Sequence, residues 1–255
     1  ASNQHRFKLF NEWKRLKDIR IGDYLTCNTN VPSKFIFPNS LPKEDIYLIA
    51  IYLAEKGRSG VKHLFNININ KNNSCYEKLS FICKSKGWEI NTYRESQHTH
   101  IVYLTNKEGK ESPEEFLNRY KLLDAHRGSI IPTDIFNSDV ESINYFLGVY
   151  LCYGGVIEQK TNLDIAIKYY SYSNSFIKQL YQLLLRVGIN GTIGTKRRYY
   201  KYVKRSSVSG VKPTKHTDLY YLSINKIKHI RYFKNHIYAH NRQDRYNLLW
   251  EKWSY

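Results

Sequence analysis

The sequence predicts an α+β protein built from two αββαββ units in one chain. The first observation is a repeated helix: Leu48-Ile49-Ala50-Ile51-Tyr52-Leu53-Ala54-Glu55-Lys56 returns as Phe146-Leu147-Gly148-Val149-Tyr150-Leu151-Cys152-Tyr153-Gly154. The second is that the same elements come after each copy. A strand-like run (Leu64 to Ile69; Leu163 to Lys168) leads to an amphipathic helix that stops at glycine (Cys75 to Lys86, then Gly87; Ser175 to Val187, then Gly188). Two more strands close each unit (Glu89 to Tyr93 and His100 to Leu104; Thr192 to Tyr202 and Leu219 to Ile224). The third is the size of the repeat. About 100 residues is too long for a solenoid and suits a duplicated domain.

Taken in order, residues 1–40 stand apart as an appendage, residues 41–137 are the first unit with its linker, and residues 138–255 are the second unit with a C-terminal tail. Within the appendage, Trp13 to Leu25 reads as a short helix or turn leading through Gly22-Asp23 into a strand. Pro32, Pro38 and Pro42 mark a linker. Between the units, Ser112-Pro113-Glu114-Glu115 starts a helix with proline at its first position and acids in its first turn. Gly128 to Asn137 reads as extended, and Ser138 is expected to cap the second repeated helix with Glu141 as its capping-box partner. The tail from Arg242 ends in Leu248, Leu249, Trp250 and Trp253, a pattern for a short packed helix.

Composition narrows the function. Forty Lys and Arg against 22 Asp and Glu give a formal charge of +18. A field of that sign favours polyanions, nucleic acid first and anionic membrane second. No apolar run of roughly 18 residues and no secretory signal is visible, which argues against a spanning or exported protein and for an intracellular one. Cys27, Cys75, Cys83 and Cys152 form no CxxC pair and read as buried thiols. His98 and His100 have no further ligand at metal-site spacing and read as strand positions. The lack of methionine suggests a processed or excised piece.

The paired helices and the order of elements after each resemble the two signature motifs of LAGLIDADG homing endonucleases in their single-chain, pseudo-dimeric form. The resemblance covers roughly residues 41 to 240. It includes Ile130-Ile131-Pro132-Thr133-Asp134-Ile135-Phe136-Asn137, which is similar to the linker of intein-borne members, and residues 1–40 resemble part of an intein splicing domain, with His5 at a splicing position. The resemblance implies a pseudo-twofold molecule whose motif helices meet through small residues (Ala50, Ala54, Gly148, Cys152). It also implies saddle-shaped antiparallel sheets laid on DNA. The expected partner is double-stranded DNA with a long asymmetric target, bound by a monomer, with an intein or host-protein fragment as a further partner.

The same resemblance places an acid at the end of each motif helix to bind divalent metal, Mg2+ being the expected cofactor for phosphodiester hydrolysis. Glu55 holds this position in the first copy, but Tyr153 holds it in the second. Three alternatives arise: the second site is dead, Glu158 substitutes as metal ligand, or the protein binds without cutting both strands. These lead to a nicking or impaired endonuclease, or to a non-catalytic DNA-binding or RNA-splicing (maturase-like) relative. A basic residue after the last strand of each unit is also implied. Lys228 or Lys226 is the candidate in the second unit, Lys107 or Lys110 in the first.

For DNA contact, the basic-aromatic run Lys196 to Arg205 is the leading candidate. Strand alternation puts Arg197, Tyr199 and Lys201 on one face and Lys196, Arg198 and Lys204 on the other, with Arg205 next in the chain. Ser206 to His216 reads as a hairpin tip that orders on DNA. In the first unit Asn66, Asn68 and Asn70 alternate with apolar residues and offer amides to adenine edges. Asp164, Ala166 and Lys168 take the equivalent face in the second unit, so the two halves would read different half-sites.

Overall fold

The structure is a computed structural model, which describes residues 4–9, 12–21, 23, 41–55, 66–69, 74–95, 100–123, 130–159, 165–201 and 214–237. It is an α+β structure of helices and antiparallel sheets. A short ribbon, β1 (Arg6–Lys8) and β2 (Trp13–Arg15), precedes a 3-10 turn at Leu16–Asp18. The first unit runs α1 (Lys43–Glu55), β3 (Asn66–Ile69), α2 (Ser74–Ser85), β4 (Trp88–Glu95), β5 (His100–Asn106) and α3 (Pro113–Arg119). After α4 (Thr133–Asn137), the second runs α5 (Val140–Gly154), β6 (Gly155–Gln159), β7 (Ile165–Ser171), α6 (Asn174–Arg186), β8 (Thr192–Lys201), β9 (Thr214–Ile224) and α7 (Ile227–His236). The sheets are ordered β3-β5-β4 and β6-β7-β9-β8, every pairing antiparallel. The last strand is thus central in each sheet, beside the one that precedes the amphipathic helix.

The two repeated helices lie at the centre. Every residue of α1 from Asp45 to Glu55 is buried, and so is almost all of α5 from Ser142 onward. A helix that is apolar all round must be covered all round. Here α1 and α5 cover one another, with β3 also on α1 and β6 and β7 on α5. The small residues Ala50, Ala54, Gly148 and Cys152 are all buried, and their size permits close approach of backbones. At the helix starts, the exposed Lys43 ammonium sits 2.7 Å from Glu141. The two helices therefore begin side by side. Phe146, Tyr150, Tyr169, Phe176 and Phe233 join α5, β7, α6 and α7 through a chain of ring contacts.

Local signals account for most boundaries. Ser112 accepts a hydrogen bond from the Glu115 amide at 3.2 Å, and Glu115 accepts from the Ser112 amide at 2.7 Å, which is the reciprocal cap that starts α3. Ser173 caps α6 by accepting from the Phe176 amide. Gly87 and Gly188 end α2 and α6 in the left-handed region, at φ 69° and 76°. Gly87 is constrained twice over, because a Cβ there would lie 2.5 Å from the Gly109 nitrogen. Its carbonyl accepts from the amides of Lys107, Glu108 and Gly109, tying the end of α2 to the turn after β5.

Two expectations about the connection between units need correction. Gly128 to Asn137 is not extended throughout, since Thr133–Asn137 forms α4. Ser138 does not cap α5: it closes α4, its hydroxyl donating to the Asp134 carbonyl, while Asp139 caps α5 by accepting from the Ser142 amide at 2.7 Å. Asp at this position is as good a cap as Ser, and the extra turn of helix takes up five residues of the linker. Strand β6 is a further addition. It starts directly from the end of α5, where a Cβ on Gly155 would lie 2.3 Å from Leu151 Cδ1. Without a loop between helix and strand, no turn signal marks it. The Ser206–His216 tip lies outside the described residues except for its last three, which begin β9; the C-terminal tail and His98 lie wholly outside.

Candidate nucleic-acid interface and metal position

Glu55 is the last residue of α1 and is buried (4% exposed). A buried carboxylate persists only when hydrogen-bonded, paired or bound to metal. Tyr153, at the matching point of α5, is also buried and faces the helix interface: its hydroxyl lies 3.1 Å from that of Tyr47 in α1. The phenol at the second motif position thus makes a contact between α5 and α1.

Glu158 stands in β6, four residues beyond α5, and its carboxylate is engaged on both oxygens. Lys168 donates to Oε2 at 2.6 Å and the Tyr170 hydroxyl to Oε1 at 2.7 Å. The Lys168 ammonium also lies 5.3 Å from the Tyr221 ring centre, and Tyr170 and Tyr221 are 6.2 Å apart. Register explains the cluster. Tyr169 and Leu222 pair on the inner face, so Lys168, Tyr170 and Tyr221 come out on the other face of adjoining strands. The Tyr221 ring lies across Gly194, where a Cβ would meet its Cζ at 2.3 Å. Neither tyrosine of this cluster is visible in a motif; only the alternation of β7 hints at Tyr170.

Among the described residues no group of three or more His, Cys, Asp or Glu could hold a metal ion. At the first motif position the protein would contribute one carboxylate, Glu55, the fewest that a Mg2+ ion completed by phosphate oxygens and waters takes from a protein. Tyr153 offers no carboxylate, and its phenol is hydrogen-bonded to Tyr47.

The basic candidates separate by place. Lys196 and Arg197 are exposed in β8, Arg197 only 3.9 Å from Asp218 across the strand pair. The side chains of Arg198, Tyr199 and Lys201, and all of Lys204 and Arg205, lie outside the described residues, as does Asn70. Asn66 and Asn68 pair in register with Tyr103 and Ile101. Lys226 and Lys228 are exposed at the start of α7, which has no acid in its first turn. Cations there oppose the helix dipole, so the arrangement is one an anion would relieve. His229 beside them is buried, and burial followed by the charges of Lys228 and Lys226 pushes its pKa down. Lys107 and Lys110 are exposed in the turn fastened to Gly87.

A buried charge cluster at the other end of α1 was not visible in the sequence. Asp45 (4% side-chain exposure) receives Lys86 Nζ at 2.7 Å, the Tyr120 hydroxyl at 2.6 Å and Arg119 at 3.2 Å, and Arg119 also grips Glu111. Burial works against the Asp45 carboxylate, but the Lys86 and Tyr120 hydrogen bonds and the neighbouring cations outweigh it and hold its pKa low. Burial and the same carboxylate push the Tyr120 pKa up. Cys83 is buried, its thiol pushed up to about 12 by desolvation, and Cys152 is buried as well.

Helix, two strands, helix, two strands and helix from α5 to α7 form one continuous unit. Residues 141–238 match the family model of a LAGLIDADG-like domain. No curated protein matches the chain. Among solved structures, the chain is similar to mesophilic variants of the homing endonuclease I-DmoI, at 12% identity, with 76% of this chain and 95% of that one covered and a TM-score of 0.47. The homing endonuclease I-WcaI bound to its DNA recognition sequence is similar at 14% identity over 84% of this chain and 89% of its own, TM-score 0.45. The N-terminal LAGLIDADG domain of DUF199/WhiA is similar at 15% identity over 80% and 88%, TM-score 0.45. Among the described residues no helix is long and apolar enough to cross a membrane.

Proposed function

We propose that the chain is a site-specific double-stranded DNA-binding protein of the LAGLIDADG homing-endonuclease type, with α1 and α5 on a pseudo-twofold axis and one working metal position, at Glu55. The observation that carries this reading is the pair of buried helices packed on one another, with Glu55 and Tyr153 at matching points of their last turns, the second within the matched domain. The two outer sheet faces would take the two half-sites of one asymmetric duplex, with Lys196, Arg197 and the strand beyond them in the groove. Lys228, and Lys107 in the first unit, would face phosphates near the scissile bonds. Glu55 would hold Mg2+ or a similar divalent ion, which supplies charge to activate water and to steady the leaving oxygen. With no second acid, cleavage is confined to one strand. The second reading, a DNA- or RNA-binding relative without cleavage, is favoured by the Tyr47–Tyr153 hydrogen bond, which gives Tyr153 a structural role. Residues 1–40 are then an intein-like appendage.

Binding to a duplex recovered from a random pool tests the reading. A plot of log Kobs against log salt should be steep, because each phosphate neutralised contributes a slope of about −0.9. A flat plot would remove the DNA-binding reading altogether.

A further inference from the structure

The β1–β2 ribbon has two faces of opposite electrostatic character. Its register pairs Arg6 with Arg15, Phe7 with Lys14 and Lys8 with Trp13. Alternation puts Phe7 and Lys14 on one face and Arg6, Lys8, Trp13 and Arg15 on the other. The first face is neutralised: Lys14 Nζ lies 3.2 Å from Glu12 and 3.4 Å from Asp23, and Asp23 is held in place by the Arg20 amide at 2.9 Å. Both of those acids are used by Lys14.

On the second face the two arginines are not balanced in this way. Arg6 and Arg15 stand directly opposite each other, both exposed, and neither forms an ion pair among the described residues. Like charges opposite one another weaken a strand pair. Beside them the Lys8 ammonium sits 5.9 Å from the Trp13 ring centre, and that indole is 61% exposed. Two exposed guanidinium groups on one small surface match the spacing of charge on a phosphate backbone. Guanidinium binds phosphate through paired hydrogen bonds.

We infer that this face of the N-terminal ribbon is a nucleic-acid contact separate from the two sheets, gripping phosphates of the bound duplex through Arg6 and Arg15. It rests on the DNA-binding reading above and extends the footprint beyond the two repeated units.

The test is the salt dependence of duplex binding by the full chain and by an Arg6→Ala/Arg15→Ala variant. Both side chains are exposed, so the fold is not at issue, and circular dichroism confirms it. The slope of log Kobs against log salt should become shallower by about 2, at roughly 0.9 per phosphate lost. Lys14→Ala, on the neutralised face, should leave the slope unchanged. A steep slope in the unaltered chain that the double variant retains would overturn the inference and leave the DNA reading standing. A flat slope in the unaltered chain would remove both. Binding to phosphatidylserine vesicles that the double variant loses, with its duplex slope unchanged, would assign the face to lipid and overturn the inference as well.

Discussion

Glu55→Gln should lower strand scission by more than about 100-fold, since removing even an outer-shell partner of a metal ligand costs 10- to 100-fold, while duplex binding stays as it was. Gln has nearly the same volume, so the buried end of α1 keeps its packing and loses only the charge. Tyr153→Phe is the companion variant. It removes the hydroxyl that meets Tyr47 at 3.1 Å and should cost about 1 kcal/mol of stability with no change in cleavage. Initial rates of cleavage of a labelled duplex with Mg2+ check both. Cleavage that survives Glu55→Gln would show that the chemistry lies elsewhere.

How much of the fold and site is legible in the sequence depends on the range of each interaction. The duplicated helices can be read because an all-round apolar run twice over, with the same elements after each copy, has no other economical packing. The ends of α2, α3 and α6 can be read because Gly87, Gly188 and Ser112 act through backbone groups within a few residues. Ser138 misleads because Asp139, its neighbour, caps equally well, and the choice depends on α4 docking through Ile135, which is buried. Pairings between distant residues cannot be read: Tyr47 with Tyr153 spans 106 residues and Asp45 with Tyr120 spans 75. Polar partners at such separations leave no periodic trace. The same holds for Glu158. Its spacing from the motif suggests a spare ligand, and only the register of β6 on β7 brings Lys168 and Tyr170 to it.

The largest expected loss of stability among polar substitutions is at Asp45. Asp45→Asn should destabilise the protein by about 2 to 3 kcal/mol, toward the low end for breaking a buried ion pair. Arg119 is 45% exposed and keeps Glu111, which limits the loss. Lys86 is less fortunate: it remains among Trp88 and Phe116 with its carboxylate gone. Because the Asp45 pKa is lowered in the fold, its contribution is present above the ordinary carboxylate value of 3.8 and is lost as pH falls through the lower folded value. The gap between the two proteins, measured by urea denaturation, should therefore be constant through neutral pH and close in strong acid. A gap that persisted unchanged there would mean that the lost stability is not that of the ionised carboxylate.

Whether one acid works while its counterpart is a packed phenol shows directly in the topology of the product. A supercoiled plasmid carrying the selected target is incubated with the unaltered chain and Mg2+, and nicked and linear forms are separated over time. Nicked circles are the expected end product, with every nick on one strand. Linear plasmid formed at the same rate as nicked would contradict this, showing that a second acid, Glu158 freed from Lys168 and Tyr170, completes the site.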